Sequence, residues 1–449
     1  MPIFSRTEKK EEFNLGCKPL KEVTKFVQEV ITDQDSWEPD ELKSNQAVLR
    51  AAMSGVPGAD REAENLIKNI LVKYGAEAEG LSLDEAAYEI YRYAWGLDVI
   101  EHLYRNPTVD EIRVNGPRKG QTYVSILGKN EKTDVCWEDD LHIKKVVDRM
   151  IQHDFGIALN KDTPAIESIR MDGSRVTATC PPVSRCFTMV IRKHNTFVPT
   201  LENYIARQTL CVEVYRYIEG LLKGRANILI SGGTGTGKTT LLRALVGLLP
   251  KDLRIISLET DIELRLAETY PDRDIVEMEE QPKLGYDMKA LFKKVLRYSP
   301  DVILVGEFRG AGEAVEAVNA CTRGHDASMA TAHFSSPEEA VEGTAKMMLR
   351  EGLGLPLDIA MTTVASAFNV IIQMFADSTK GIKKIVRVTE IYPEGTQVKY
   401  RDLIVWRPDP NDFWQGAWLI LEPPTERLQR KMKSYGMTTA KMREAGIPV

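Results

Sequence analysis

SGGTGTGKTTLL, from Ser231 to Leu242, is the stretch on which the rest of the chain turns, and within it Gly232, Gly237, Lys238 and Thr239 satisfy the spacing G-x-x-x-x-G-K-[ST]. Glycines let a backbone wrap closely around a phosphate with its N–H groups turned inward. The helix that follows presents its positive end, a lysine reaches the β- and γ-phosphates, and the adjacent hydroxyl ligates Mg²⁺. Gly232, Gly233, Thr234, Gly235, Thr236, Gly237, Lys238, Thr239 and Thr240 are therefore the expected phosphate cradle, with Lys238 also catalytic and Thr239 on the metal. The required context is present: an apolar run from Asn227 to Ser231 reads as a strand, and Lys238 to Leu249 reads as a helix stopped by Pro250. A glycine-rich turn that merely carries Lys-Thr needs neither neighbour.

Three further segments follow the cradle. PDVILVGEFRG (Pro300 to Gly310) is a β-branched strand ending in Glu307, the place where a P-loop protein needs an acid for Mg²⁺ or the attacking water. Gly306 stands where an aspartate is usual, so Glu307 has to serve the metal with Thr239 and waters; the alternative is a buried strand whose glutamate only reaches solvent. ISLETDIELRL (Ile256 to Leu266) puts Glu259, Asp261 and Glu263 just beyond another strand, at the crevice where such sheets bind ligands. One of them can activate water; a solvated acidic turn is the plainer reading. GHDASMATAHFSSP (Gly324 to Pro337) places His325 and His333 around a short strand, with Thr331 and His333 on one face; a satisfied structural histidine is the plainer reading here too.

Apolar strands alternate with amphipathic helices from about residue 202 onward, which predicts a largely parallel sheet with helices on both faces. A helix is expected over Glu202 to Gly220, β-rich sequence from Ile382 to Trp418, and a polar helix over Thr425 to Ala445. Upstream, short β-type runs (Glu111 to Val114, Thr122 to Leu127, Arg175 to Thr179, Thr188 to Arg192) surround a helix over Leu141 to His153 and predict a small α+β domain. Earlier still, three- and four-residue periodicity gives helices over Lys21 to Ile31, Arg61 to Tyr74 and Leu83 to Trp95, with a polar stretch around Pro39. The expected divisions are a helical extension (1–96), the α+β domain (97–195), a linker (196–201) and the P-loop domain (202–449).

Lys plus Arg at 59 against Asp plus Glu at 65 gives a formal charge of −6 over 449 residues, which argues against a bulk-basic nucleic-acid binder. The six cysteines are scattered with no Cys-x-x-Cys pair, so neither a disulfide scaffold nor a structural zinc site is expected. MPIFSRTEKKEEF turns charged before an apolar signal region forms, and no run of 18 apolar residues follows, so the expected compartment is the cytoplasm.

Taken in order, the phosphate loop, the acidic cluster, VGEFRG and G-H-x-x-x-x-x-T-x-H resemble the type II and type IV secretion ATPase superfamily, most of all its tight-adherence-pilus branch. NPTVDEIRVNGP (Asn106 to Pro117) and MDGSRVTATCPPVS with TMVIRKH (Met171 to His194) are similar to the opening and close of that family's N-terminal domain. The resemblance covers roughly residues 103–376 strongly. It implies an α/β fold: a RecA-like P-loop NTPase domain preceded by a smaller α+β domain and a helical extension. It implies Glu307 as the Walker B acid, Glu259 as the water-activating residue, His333 as γ-phosphate sensor supported by His325, and Arg175 and Arg192 reaching the nucleotide from the N-terminal domain. Thr260 follows Glu259 where the family has an aspartate, so Glu259 and Glu263 both stand as the base, and the alternative for the arginines is that they are ordinary surface or salt-bridging residues. ATP and Mg²⁺ are the implied cofactors. The implied partners are five further copies in a homohexamer and an inner-membrane platform protein, with peripheral membrane association through it and no direct nucleic acid. A hexameric DNA translocase or helicase for conjugation and a nucleotide-gated switch are the competing functions.

Overall fold

The computed structural model describes residues 14–193, 200–352 and 354–449. The chain divides into two compact units, Met1–Asn195 and Thr196–Val449. Most of the expected linker (196–199), together with His194 of the VIRKH run, lies outside the described residues.

In the first unit, β1 (Gly16–Lys18) pairs in parallel with β2 (Ala76–Ala78), and α1 (Leu20–Thr32), α2 (Pro39–Ser54), α3 (Ala59–Lys73) and α4 (Leu83–Ala94) pack with them. Val23, Val27, Val30, Ile67, Ile70 and Ile90 are buried together at their centre. Helix α2 occupies the polar stretch that hydropathy left without an element. Pro39 sits at its first turn, where a fixed φ suits the helix and the missing N–H has no carbonyl to serve. Ser82 and Glu85 cap α4 reciprocally, each side chain accepting from the other's backbone N–H.

After α5 (Glu101–Arg105), the strands β3 (Val109–Val114), β4 (Thr122–Ile126), β5 (Lys129–Lys132), β6 (Ala165–Ile169), β7 (Arg175–Thr179) and β8 (Thr188–Arg192) form a sheet ordered β5-β4-β3-β8-β7-β6. Helix α6 (Asp140–Ile151) covers one face, burying Ile143, Val146, Val147 and Met150 with Ile112, Val176 and Ile191. The break expected after residue 96 falls inside this unit. Arg105 on α5 reaches back to Asp60 and Glu64 on α3 at 3.3 and 2.6 Å, and Met171 N donates to Ser54 O at 3.0 Å.

The second unit opens with α7 (Leu201–Ala206) and α8 (Val212–Lys223), two helices where one was expected, because Gln208 takes a left-handed φ of 53° between them. Then β9 (Ile228–Gly232), α9 (Lys238–Val246), β10 (Ile255–Glu259), α10 (Leu266–Thr269), β11 (Ile275–Glu279), α11 (Met288–Val295), β12 (Val302–Val305), α12 (Ala311–Thr322), β13 (Met329–Ala332), α13 (Pro337–Arg350), α14 (Leu357–Ala367) and β14 (Val370–Asp377) alternate. The long strands β15 (Ile382–Glu394) and β16 (Gln397–Pro408) and the short β17 (Gly416–Ile420) follow, and then α15 (Glu426–Ser434) and α16 (Thr439–Glu444). The sheet runs β11-β10-β12-β13-β9-β14-β15-β16-β17, parallel as far as β14 and antiparallel beyond it. The phosphate-loop strand thus lies between β13 and β14, the RecA-like order.

Helices cover this parallel core on both faces, which is why β9, β10, β12 and β13 are buried at every residue. One face packs with α8, α9, α15 and α16 (Leu221, Leu242, Met432, Met442), the other with α12, α13 and α14 (Ala317, Val341, Val364). Such a sheet binds ligands beyond the carboxyl ends of its parallel strands. Among the described residues no helix is long and apolar enough to cross a membrane.

Candidate active site

At the carboxyl end of β9 the chain turns through Gly233 to Gly237 into α9. Gly235 and Gly237 take φ of 76° and 92°, conformations that side chains with a Cβ resist. A Cβ on Gly232 would stand 2.7 Å from the Met374 carbonyl, so β14 forbids any larger residue there. Thr236 Oγ1 donates to Gly233 O at 2.9 Å and locks the loop across itself. Helix α9 begins with no side-chain cap and no acid in its first turn, which leaves its N–H groups and positive end for an anion. Thr239 and Thr240 are half-buried in that first turn, while Thr234 is exposed.

Lys238 is buried, and its ammonium donates to Gly233 O at 3.1 Å and to His333 Nδ1 at 3.2 Å. The same ammonium stands 3.9 Å from Glu307 Oε1. His333 Nε2 contacts Glu307 Oε1, and a proton on Nε2 satisfies both partners: Nε2–H donates to the carboxylate while Nδ1 accepts from Lys238. Burial and then the Lys238 charge hold the pKa of His333 below its ordinary value, in keeping with a neutral ring. Arg309 Nε donates to the other carboxylate oxygen, Glu307 Oε2, at 2.8 Å. Four expected or neighbouring residues from three separate segments therefore meet at one point: Lys238, Glu307, Arg309 and His333. Arg309 closes the VGEFR run with no role of its own in the motif, and its spacing of two from Glu307 is the sequence signal for this pairing.

Glu259 is placed differently from a free carboxylate over the crevice. It is buried at the end of β10, where Oε2 accepts from the N–H groups of Glu263 and Leu264 at 2.8 and 2.9 Å, and Oε1 accepts from Ser257 at 3.1 Å. Arg243 on α9 donates to the Leu264 and Glu263 carbonyls at 2.8 and 2.7 Å, so the acidic loop is pinned from both sides. Gly306 explains itself here: a Cβ at that position would lie 2.7 Å from Glu259 Cγ. The aspartate usual at position 306 would displace Glu259. Glu263 is half-buried beside it, and the geometry leaves the choice of base between these two glutamates open.

Desolvation raises the Glu259 pKa to about 7 against the three hydrogen bonds that lower it. Between the ordinary 4.5 and 7 the unfolded chain releases this proton while the folded chain keeps it, so raising the pH across that window favours unfolding. Glu259→Gln, which cannot titrate, should therefore gain stability over wild type progressively from pH 4.5 to 7, by up to about 3 kcal/mol, with the difference constant above. Denaturant unfolding of both proteins at stepped pH measures it; parallel curves would mean the carboxyl titrates normally.

His325 is not brought to this site. Its Nδ1 bonds the Pro300 carbonyl at 2.9 Å, before β12 begins, and β13 then runs the length of the strand to deliver His333 at the opposite end. Two histidines eight positions apart around one strand cannot share its carboxyl end. Arg175 and Arg192 belong to the first unit, directly opposite each other on β7 and β8, with Glu111 of β3 continuing the row. Arg175 is half-buried and Arg192 exposed on the face away from α6.

The donor set suits Mg²⁺. A threonine hydroxyl and one carboxylate are hard oxygen ligands of the kind that complete a shell with phosphate oxygens and waters. Among the described residues no group of three or more His, Cys, Asp or Glu forms a protein-only metal cage.

The family model described as "Type II/IV secretion system protein" matches residues 96–402. Among curated proteins, the uncharacterized protein MJ0900 of Methanocaldococcus jannaschii is 26% identical over 339 residues, 73% of this chain and 58% of the relative. The type IV secretion system protein VirB11 of Brucella suis is 25% identical over 305 residues, covering 60% of this chain and 81% of that protein. The crystal structure of the Brucella suis VirB11 ATPase with sulphate aligns at 25% identity over 66% of this chain and 93% of that chain, with a TM-score of 0.35. The chain thus spans little more than half the length of the archaeal relative.

Proposed function

The chain belongs to the type II/IV secretion system protein family, and from that membership we propose that it is a Mg²⁺-dependent ATPase, the hexameric motor of a secretion or pilus-assembly system. The observation that carries the reading is the convergence of Lys238, Glu307 and His333 at the mouth of the phosphate loop.

Phosphoryl transfer spreads charge over the γ-oxygens, so the protein's task is to position cations and a water rather than to form bonds. In this reading the loop N–H groups and Lys238 hold the β- and γ-phosphates. Thr239 and Glu307 hold Mg²⁺, which when bound neutralises charge on the phosphate oxygens. His333, neutral and tied to both Lys238 and Glu307, senses whether a γ-phosphate is present, because an arriving anion competes for the Lys238 ammonium. Glu259 or Glu263 orients the water. Arg175 and Arg192 complete the site as the domains or subunits close, and a ring of identical head-to-tail contacts lets one subunit's closure act on the next. The ring works at the inner face of the cytoplasmic membrane, against an inner-membrane platform protein.

The test is phosphate release by the purified chain with ATP, with and without Mg²⁺ chelation and with and without DNA. Turnover that requires Mg²⁺ and ignores DNA is the expected result. No hydrolysis under any ring-promoting condition would end the motor reading, and stimulation by DNA with a steep salt dependence would replace it with a nucleic-acid translocase.

A further inference from the structure

We infer that Lys383 supplies a second cation to the bound nucleotide, at the α- and β-phosphates, from β15, the strand paired with the one that walls the phosphate loop. The inference rests on the nucleotide-binding reading above and adds to it a residue that no loop or acid motif contains.

The placement follows from register. Strand β14 lies parallel to β9 with Met374 opposite Gly232, and β15 returns antiparallel with Ala376 opposite Lys383 and Met374 opposite Ile385. Directly opposed residues share a sheet face, and side chains alternate along each strand. Met374, Ala376, Lys383 and Ile385 therefore share one face, and Met374 and Ile385 place it in the core that holds α9. At Gly237, the last glycine before Lys238, a Cβ would meet Lys383 Cδ at 3.4 Å, Lys383 Nζ at 3.8 Å and Met374 Cε at 3.9 Å. The Lys383 ammonium thus stands against the loop where it becomes helix, at the carboxyl end of the parallel strands.

The neighbouring residue holds it there. Lys384 points to the opposite face, fully buried, with its ammonium 3.4 Å from the Trp406 ring centre and 4.7 Å from that of Trp418, donating to Trp414 O at 3.2 Å. Phe375, opposite Lys384, stacks on Trp414 at 5.7 Å. Trp418 Nε1 donates to Ile385 O at 2.7 Å, and Ile385 N donates to Thr209 O at 2.9 Å. An ammonium over indole faces is a favourable anchor. The backbone on the carboxyl side of Lys383 is accordingly fixed from both faces of the sheet, and the β15 to β17 extension has a task beyond closing the core: it presents a cation to the loop.

An ammonium is a compact point charge suited to phosphate oxygens without a demand for bidentate geometry. Lys238, beside Glu307 and His333, reaches the γ-phosphate as well as the β-phosphate. A cation at Gly237 acts on phosphates that ATP and ADP have in common, which separates the two lysines experimentally.

The experiment is a titration of the full-length chain with fluorescent ADP and with a fluorescent non-hydrolysable ATP analogue, comparing wild type, Lys383→Ala, Lys383→Arg and Lys238→Ala, each with its unfolding midpoint. Lys383→Ala should weaken both ligands alike by about tenfold, the scale of one charge-assisted contact. Lys383→Arg should recover most of the loss, and the midpoint should stay at the wild-type value. Unchanged affinities in Lys383→Ala, a loss confined to the ATP analogue, or a loss that Arg fails to rescue together with a lowered midpoint would each overturn the inference. If wild type itself binds neither ligand, it is the nucleotide reading that fails.

Discussion

Lys238→Ala should lose ATP turnover by a factor on the order of a thousand, the scale seen when a positioned donor is removed from a developing charge. The size of the effect comes from where the side chain sits. Lys238 is 6% exposed, so its charge acts in a water-poor setting, and its ammonium joins three otherwise separate parts of the site: the loop through Gly233 O, the histidine through Nδ1, and the Glu307 carboxylate at 3.9 Å. Alanine removes the proposed phosphate contact and at the same time takes the neutralising charge away from Glu307. Binding of ATP should weaken with turnover, since no other lysine lies inside the loop between Gly232 and Thr240. Phosphate release and nucleotide titration on a variant whose circular dichroism matches wild type measure both effects. Normal turnover would contradict the site.

Glu307→Gln should separate binding from chemistry. Glutamine keeps the shape of the side chain and can still accept from Arg309, so the loop and Lys238 remain in place to hold ATP. What it loses is the negative charge that suits Thr239 and Glu307 to Mg²⁺, and with it the pairing that orders His333 and Lys238. Turnover should fall by a factor on the order of a hundred or more while ATP stays bound. Rapid desalting of the variant after incubation with radiolabelled ATP should recover ATP rather than ADP. Retained hydrolysis, or ADP on the protein, would remove Glu307 from its role and favour a nucleotide switch in which hydrolysis is incidental.

The parts of this site that sequence made legible are those with short-range signatures. The phosphate loop needs glycines at fixed offsets because its backbone must take left-handed turns and pass close to β14, and that demand is written in consecutive residues. Glu307 and His333 follow the same logic, two residues and one residue past a buried strand. What stayed hidden depends on pairing across the sheet. Lys383 lies about 145 positions from the loop it abuts, in a strand pair whose register no local pattern announces, and its neighbour Lys384 reads as a surface residue until three tryptophans close around it. Gly306 looked like a departure needing compensation, and it became intelligible only when Glu259 was seen lying across it. Likewise His325 and His333 shared a motif, yet a strand keeps them apart. In the fold, β14 and α14 drew no expectation because their apolar residues, broken by Asp358, Thr362, Thr363, Ser366 and Gln373, follow no clear helix or strand period. Helix α2 escaped because a proline at a helix start reads as a break when it stands in a polar stretch.

The proposed motor shares its active sites between subunits, and the ATPase rate per subunit across a protein concentration series, with molecular mass read alongside by light scattering, tests that most directly. The rate per subunit should rise as the mass climbs to six chains, the outcome expected if Arg175 and Arg192, proposed to act at a domain or subunit junction, act between subunits. A rate independent of concentration, from a chain that stays a monomer or dimer, would contradict it.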